Sequence, residues 1–167
     1  MHLSLGINTC FAVKRWPRPA DWAPIIQDRL GLRLVQHSLD LIEPPLSDET
    51  VVPASAAVRA AAVSHGLRIH STFTGLADYS ANLLLHPDPA THDAARRHFE
   101  RAIDLTARVG GVATGGHVGA FSVADWRDRA RREERWNDLR AALAVLAGDA
   151  RRAGLEYLMV ENLAAAR

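Results

Sequence analysis

One local pattern recurs four times along the chain: a helical stretch ends at glycine, a short apolar run follows, and a polar residue stands where that run ends. The copies are Gly31-Leu32-Arg33-Leu34-Val35-Gln36-His37, Gly66-Leu67-Arg68-Ile69-His70-Ser71, Gly111-Val112-Ala113-Thr114-Gly115-Gly116-His117 and Gly154-Leu155-Glu156-Tyr157-Leu158-Met159-Val160-Glu161-Asn162. Glycine just past a helix takes the left-handed conformation that caps it, so each copy marks a helix-to-strand turn. With the opening run Leu3-Ser4-Leu5-Gly6-Ile7-Asn8, the chain reads as five strands separated by helices. Strands joined by connections of this length pair in parallel and are covered by their helices.

Apolar spacing predicts the helices themselves. The first covers residues 20–30, with Trp22, Ile25, Ile26 and Leu30 on one face, and the second covers 52–65, with Val58, Ala61 and Ala62 inward. A third, over 91–109, carries Ala95, Phe99, Ala102 and Ile103 at helical spacing. The fourth is expected to run unbroken over 123–153, with Trp136, Leu139, Leu143 and Leu146 as its later core stripe. Trp22, Trp126 and Trp136 read as packing anchors, and Cys10 as a small pocket-wall or core residue. The basic run at 127–135 interleaves acids with bases at helix spacing, the pattern of a solvated, ion-paired face.

Two parallel architectures suit five such units. An open doubly wound sheet binds phosphate through glycines at the first strand-to-helix turn, whereas Asn8-Thr9-Cys10-Phe11-Ala12-Val13-Lys14-Arg15-Trp16-Pro17 contains none. The long connections at 8–19, 40–51 and 71–90 all follow strands, the side on which parallel α/β proteins build active sites. The expected fold is therefore an α/β (β/α)8 TIM barrel with only the first five βα units present, a single partial domain over residues 1–167. A whole barrel needs about 250 residues.

Composition removes several function classes. A chain of 167 residues with 48% hydrophobic content supports one core, and 20 Lys and Arg against 19 Asp and Glu leave a net charge of +1. Such a balance provides no global field to recruit nucleic acid or an anionic membrane. A single cysteine excludes an internal disulfide framework and fits a reducing compartment. Neither a signal peptide nor an apolar run long enough to span a bilayer is read, so a cytoplasmic location is expected.

Three strand ends carry side chains able to bind a metal: His70, His117 and Glu161. In a barrel they are expected to converge on one axis, where imidazole and carboxylate suit a divalent ion such as zinc, manganese, cobalt or magnesium. A histidine in such a place also serves as a hydrogen-bonded rim residue. Glu161 ends what reads as a buried strand, and an ionised carboxylate there must meet a cation or pair with a rim arginine such as Arg15. Phe11, Trp16 and Phe73 lie in the front loops, where aromatic faces pack against sugar C–H surfaces. Lys14, Arg15 and Ser71 are the loop candidates for contacting a phosphate.

Asn8 at the first strand end, His70-Ser71, Gly115-Gly116-His117-Val118-Gly119 and Val160-Glu161-Asn162 together resemble the xylose-isomerase-like TIM-barrel superfamily. Residues 6–17, 35–44 and 70–88 look most like its sugar-phosphate isomerase/epimerase members, in particular tetrulose-phosphate epimerases. The resemblance covers the whole chain, and the family continues for three further βα units. It implies that Glu161 is both a metal ligand and one of two acid/base carboxylates. By their place in the front loops and at strand ends, Asn8, Phe11, Lys14, Arg15, Ser71 and Phe73 are the candidates for binding substrate. In the endonuclease-IV-like branch, the histidines of strands three and four are zinc ligands, and His70 and His117 match them in place. The implied activity is a metal-dependent sugar or sugar-phosphate isomerase/epimerase working through an enediolate; the alternatives are a zinc phosphoesterase or an inactive truncated barrel. The implied partner is a small sugar or sugar phosphate. A five-strand segment with open edges is further expected to be poorly soluble or to form a homo-oligomer.

Overall fold

The computed structural model describes residues 3–44 and 46–161. Among them, β1 (Gly6–Asn8), β2 (Leu34–Ser38), β3 (Arg68–Phe73), β4 (Ala113–His117) and β5 (Tyr157–Glu161) form one sheet, parallel throughout and ordered as in the chain. A doubly wound sheet reverses direction at a switch point, whereas a barrel adds each strand beside the last. The observed order is that of a TIM-barrel-like fold with five strands and their helices. Asn162 and the helix expected after β5 lie outside the described residues.

The covering helices are α1 (Pro19–Pro24), α2 (Asp48–Ser64), α3 (Pro89–Val109), α4 (Val123–Arg127) and α5 (Arg129–Arg152). Proline opens α1 and α3, where its missing N–H costs nothing, and Gly110 ends α3 at φ 84°. A π turn over Ile25–Arg29 carries α1 onward past Pro24, so the expected first helix is present but widened. The fourth expected helix is two. Asp128 adopts an extended conformation (φ −101°, ψ 117°), and its Oδ1 accepts from the Ala130 and Arg131 amides, starting a new helix there.

Two apolar clusters occupy the helix-covered part of the sheet. Trp22, Ile26, Val35, Val58, Ile69 and Leu105 build one, and Leu84, Phe99, Ile103, Leu139, Leu146 and Leu155 the other. Thr72 on β3 and Thr114 on β4 share a buried hydroxyl bond of 2.6 Å, and Thr106 on α3 joins the same Thr72 oxygen at 2.6 Å. That network ties two strands to one helix without leaving a polar group unpaired.

Several sequence expectations need correction. Trp126 and Trp136 are 60% and 49% exposed and flank Phe121 at 5.9 and 5.8 Å, an aromatic patch rather than core anchors. The break at Asp128 separates them onto two helices. Cys10 is exposed, in the turn over Thr9–Ala12. β5 is not buried: Tyr157 and Val160 are 57% and 54% exposed, because β4 is its only neighbour among the described residues. The mixed-charge run does form an ion-paired face, with Arg129 to Glu133 at 3.0 Å and Arg135 to Asp138 at 3.2 Å. No helix among the described residues is long and apolar enough to cross a membrane.

Candidate active site

The site grows from β4, whose five residues are all buried. Gly115 and Gly116 hold φ values of 145° and 133°, and a Cβ on either would collide, with the Met159 carbonyl oxygen and the Thr74 hydroxyl respectively. Only glycine permits this close approach. The Thr74 amide donates to the Gly115 carbonyl (2.9 Å), and the His117 amide donates to Thr74 Oγ1 (3.0 Å). His117 is thereby fixed at the β4 end, directly across from Glu161 in the β4–β5 register.

His117 is 2% exposed, and neither ring nitrogen has a hydrogen-bond partner among the described residues. A buried imidazole with both nitrogens unused is costly unless something else meets it. Glu161 is half-buried, and its Oε2 accepts a 2.5 Å hydrogen bond from the Tyr79 hydroxyl. The Tyr79 ring lies on the His117 ring, with centroids 5.1 Å apart and planes 12° from parallel. Burial, then the Glu161 carboxylate, pushes the Tyr79 hydroxyl up to about 12, so it stays a protonated donor at neutral pH.

Tyr79 sits in a short helical turn over Leu76–Ser80, in the connection from β3 to α3. The turn is pinned at its start: Asp40 Oδ1 accepts from the Leu76 amide (2.8 Å), and Asp78 Oδ2 accepts from the Gly75 amide (3.2 Å). Asp78 also lies 3.5 Å from His98 Nε2 on α3. Neither Tyr79 nor Asp40 was singled out in the sequence, although Tyr79 is the one hydroxyl-bearing aromatic in the long 71–90 connection.

His70 does not reach this place. The β2–β3 register slips, pairing Val35 with Ile69 and Gln36 with Ser71, so His70 is an extra residue in β3. Ser71 is level with Ala113, four residues before His117, and β3 continues to Phe73. The strand end is occupied by Phe73 and Thr74 instead of His70-Ser71. Ser71 belongs to a polar chain across three strands, in which Asn8 Nδ2 donates to Gln36 Oε1 (2.8 Å) and Gln36 Nε2 donates to Ser71 Oγ (3.2 Å). Asn8 Oδ1 meanwhile accepts from the Cys10 amide (2.7 Å).

Phe11 and Trp16 face each other at 6.2 Å and pack on the first core cluster, so they brace the opening loop. Lys14 and Arg15 are exposed in that loop, and Lys14 takes the left-handed conformation at φ 66°. Glu161 has Tyr79, not Arg15, as its partner. Among the described residues no group of three or more His, Cys, Asp or Glu is arranged to hold a metal ion. The pair His117 and Glu161 still fits part of such a shell, because a buried imidazole without a partner among the described residues and a carboxylate are ligand groups on adjacent strand ends.

A sheet of consecutive parallel strands with its polar centre at the strand ends is the architecture of the TIM-barrel enzymes. Residues 28–166 match the family described as xylose isomerase-like TIM barrel, and the chain belongs to that family. D-erythrulose 1-phosphate 3-epimerase of Brucella abortus (strain 2308) is 29% identical over 168 residues, covering 100% of this chain and 54% of that protein. The crystal structure of a provisionally named xylose isomerase from Rhodospirillum rubrum ATCC 11170 superimposes with a TM-score of 0.91 at 41% identity, over 95% of this chain and 54% of the other. D-psicose 3-epimerase from Clostridium cellulolyticum H10 shares the fold at a TM-score of 0.64 and 17% identity, over 92% and 50%. The chain thus spans about half the length of the relatives it matches. Its family relatives are sugar epimerases and isomerases.

Proposed function

We propose that this chain works in a metal-dependent sugar or sugar-phosphate isomerase/epimerase that acts on a small ketose phosphate. The observation that carries the reading is the register pairing of His117, buried with both ring nitrogens unused, and the Glu161 carboxylate. His117 and Glu161 would hold a divalent ion such as manganese, magnesium, cobalt or zinc, with further ligands from outside the described residues. Such an ion supplies stabilisation of the negative charge that develops on neighbouring carbonyl and hydroxyl oxygens.

The proton to be moved lies on the carbon beside the ketose carbonyl. The Glu161 carboxylate accepts it, and the C–H electron pair moves into the enediolate; a proton handed back by Glu161 to the same face restores the starting centre. Inversion of the centre needs a second acid group, a carboxylic acid from outside the described residues, that delivers a proton to the opposite face while Glu161 keeps the one it removed. Lys14 and Arg15 stand in the loop after β1 and provide cationic groups for a phosphate, with Asn8 and Phe73 at the ends of β1 and β3. The endonuclease-like reading draws less support, because the β3–β4 register sets Ser71 level with Ala113, four residues before His117.

Incubation with Mn2+ and erythrulose phosphate in D2O tests this directly. The expected result is deuterium at the carbon next to the carbonyl, with Glu161→Gln slowing exchange by about 10²–10⁴-fold, the range for losing one acid/base group. Equal exchange in wild type and Glu161→Gln refutes the catalytic role.

A further inference from the structure

Tyr79 makes two contacts with the proposed ligand pair, and together they leave both His117 ring nitrogens and Glu161 Oε1 unengaged by Tyr79. Its ring covers the flat face of His117, leaving both ring-edge nitrogens without partners. Its hydroxyl takes Oε2 of Glu161 and leaves Oε1 free. The turn that carries it is tied to Asp40 on the β2 side and lies beside His98 on α3. A side chain held this way does not block the pair. It limits the rotation of both ligands at once.

Resting on the metal-ligand reading of His117 and Glu161, we propose that Tyr79 is the positioning residue of that pair, orienting the Glu161 carboxylate through its hydroxyl and the His117 imidazole through its ring. Residues that hydrogen-bond a ligating carboxylate, or fix the plane of a ligating imidazole, remove conformations that cannot bind the ion. An isolated glutamate at an exposed strand end samples many rotamers, and β5 is such a strand. Tyr79 replaces the constraint that burial would otherwise give.

Tyr79→Phe keeps the ring on His117 and removes only the hydroxyl, so the fold is retained. Mn2+ alone is titrated calorimetrically into the wild-type chain, Tyr79→Phe, Glu161→Ala and the double variant, and the metal-free proteins are melted in parallel. Tyr79→Phe is expected to weaken Mn2+ binding by about 10–100-fold, the usual effect of losing an outer partner of a ligand. The melting shifts of Tyr79→Phe and Glu161→Ala are expected to be non-additive, because both remove the same hydrogen bond. Wild-type Mn2+ affinity in Tyr79→Phe overturns the positioning role while leaving the metal-ligand reading intact. Additive melting shifts overturn it too, since the hydroxyl would then not hold the carboxylate. A wild-type chain that takes up no Mn2+ refutes the metal-ligand reading, and the positioning role falls with it; the melting cycle still shows whether the contact forms.

Discussion

Among single residues, His37 has the most direct consequence for stability. It is wholly buried, faces the Trp22 ring at 6.1 Å, and neither of its ring nitrogens has a partner among the described residues; burial pulls its pKa down from 6.5 to about 4. Folding therefore favours the neutral ring. The stability it permits is complete above pH 6.5, the unfolded value, and is lost as pH falls from there towards 4. The loss is on the order of 3 kcal/mol from a shift of that size. His37→Phe, beside a cavity of about 70 Å³ that His37 itself lines, is expected to flatten this slope, as denaturant melts at pH 7.5 and 4.5 will show. A wild-type slope in the variant would mean that other groups govern the acid response. Glu161 and Tyr79 belong to the same scale, and only the first was within reach of sequence reasoning. Glu161 follows from its place at the end of an apolar run, but Tyr79 comes to the site through a loop whose path no periodicity describes.

At the scale of the element, β4 is the most constrained. Gly115 sits opposite Met159, and a Cβ there would strike the Met159 backbone in a conformation that L side chains rarely adopt. Gly115→Ala is expected to detach β5 from β4 at a cost on the order of 3 kcal/mol. Hydrogen exchange of the β5 amides measures it: their protection should fall while that of β2 and β3 is kept. Unchanged β5 protection would contradict the close approach. The helices illustrate a different lesson. Residues 123–153 carry helical spacing throughout, yet Asp128 accepts two backbone hydrogens and starts a second helix. An aspartate within a helical pattern is as good a cap as it is a surface residue, and only its neighbours' geometry decides which.

For the whole molecule, the outer edges of the sheet matter most. β1 pairs only with β2 and β5 only with β4 among the described residues, while Leu3, Leu5, Tyr157 and Val160 are 87%, 76%, 57% and 54% exposed. Unpaired parallel edges beside apolar side chains favour association. The isolated 167-residue chain is expected to self-associate in sedimentation velocity runs, and Val160→Lys to shift it towards smaller species. A wild-type chain that stays monomeric at all concentrations would show that these edges do not drive assembly.

The sequence by itself determined the number, order and parallel pairing of the strands, because glycine caps, short apolar runs and long crossovers are local features with local physical causes. It also placed His117 and Glu161 at strand ends, where β4 and β5 pair them in register. Only the tertiary structure decided the rest. β3 continues three residues past His70 to Phe73, which leaves His70 short of the strand end, since how far a strand runs depends on the neighbours it pairs with and not on its own pattern. The exposure of β5 likewise depends on what lies beside it. Tyr79 enters through a turn held by Asp40, a residue distant in the sequence, and contacts between distant residues are what a local pattern cannot encode.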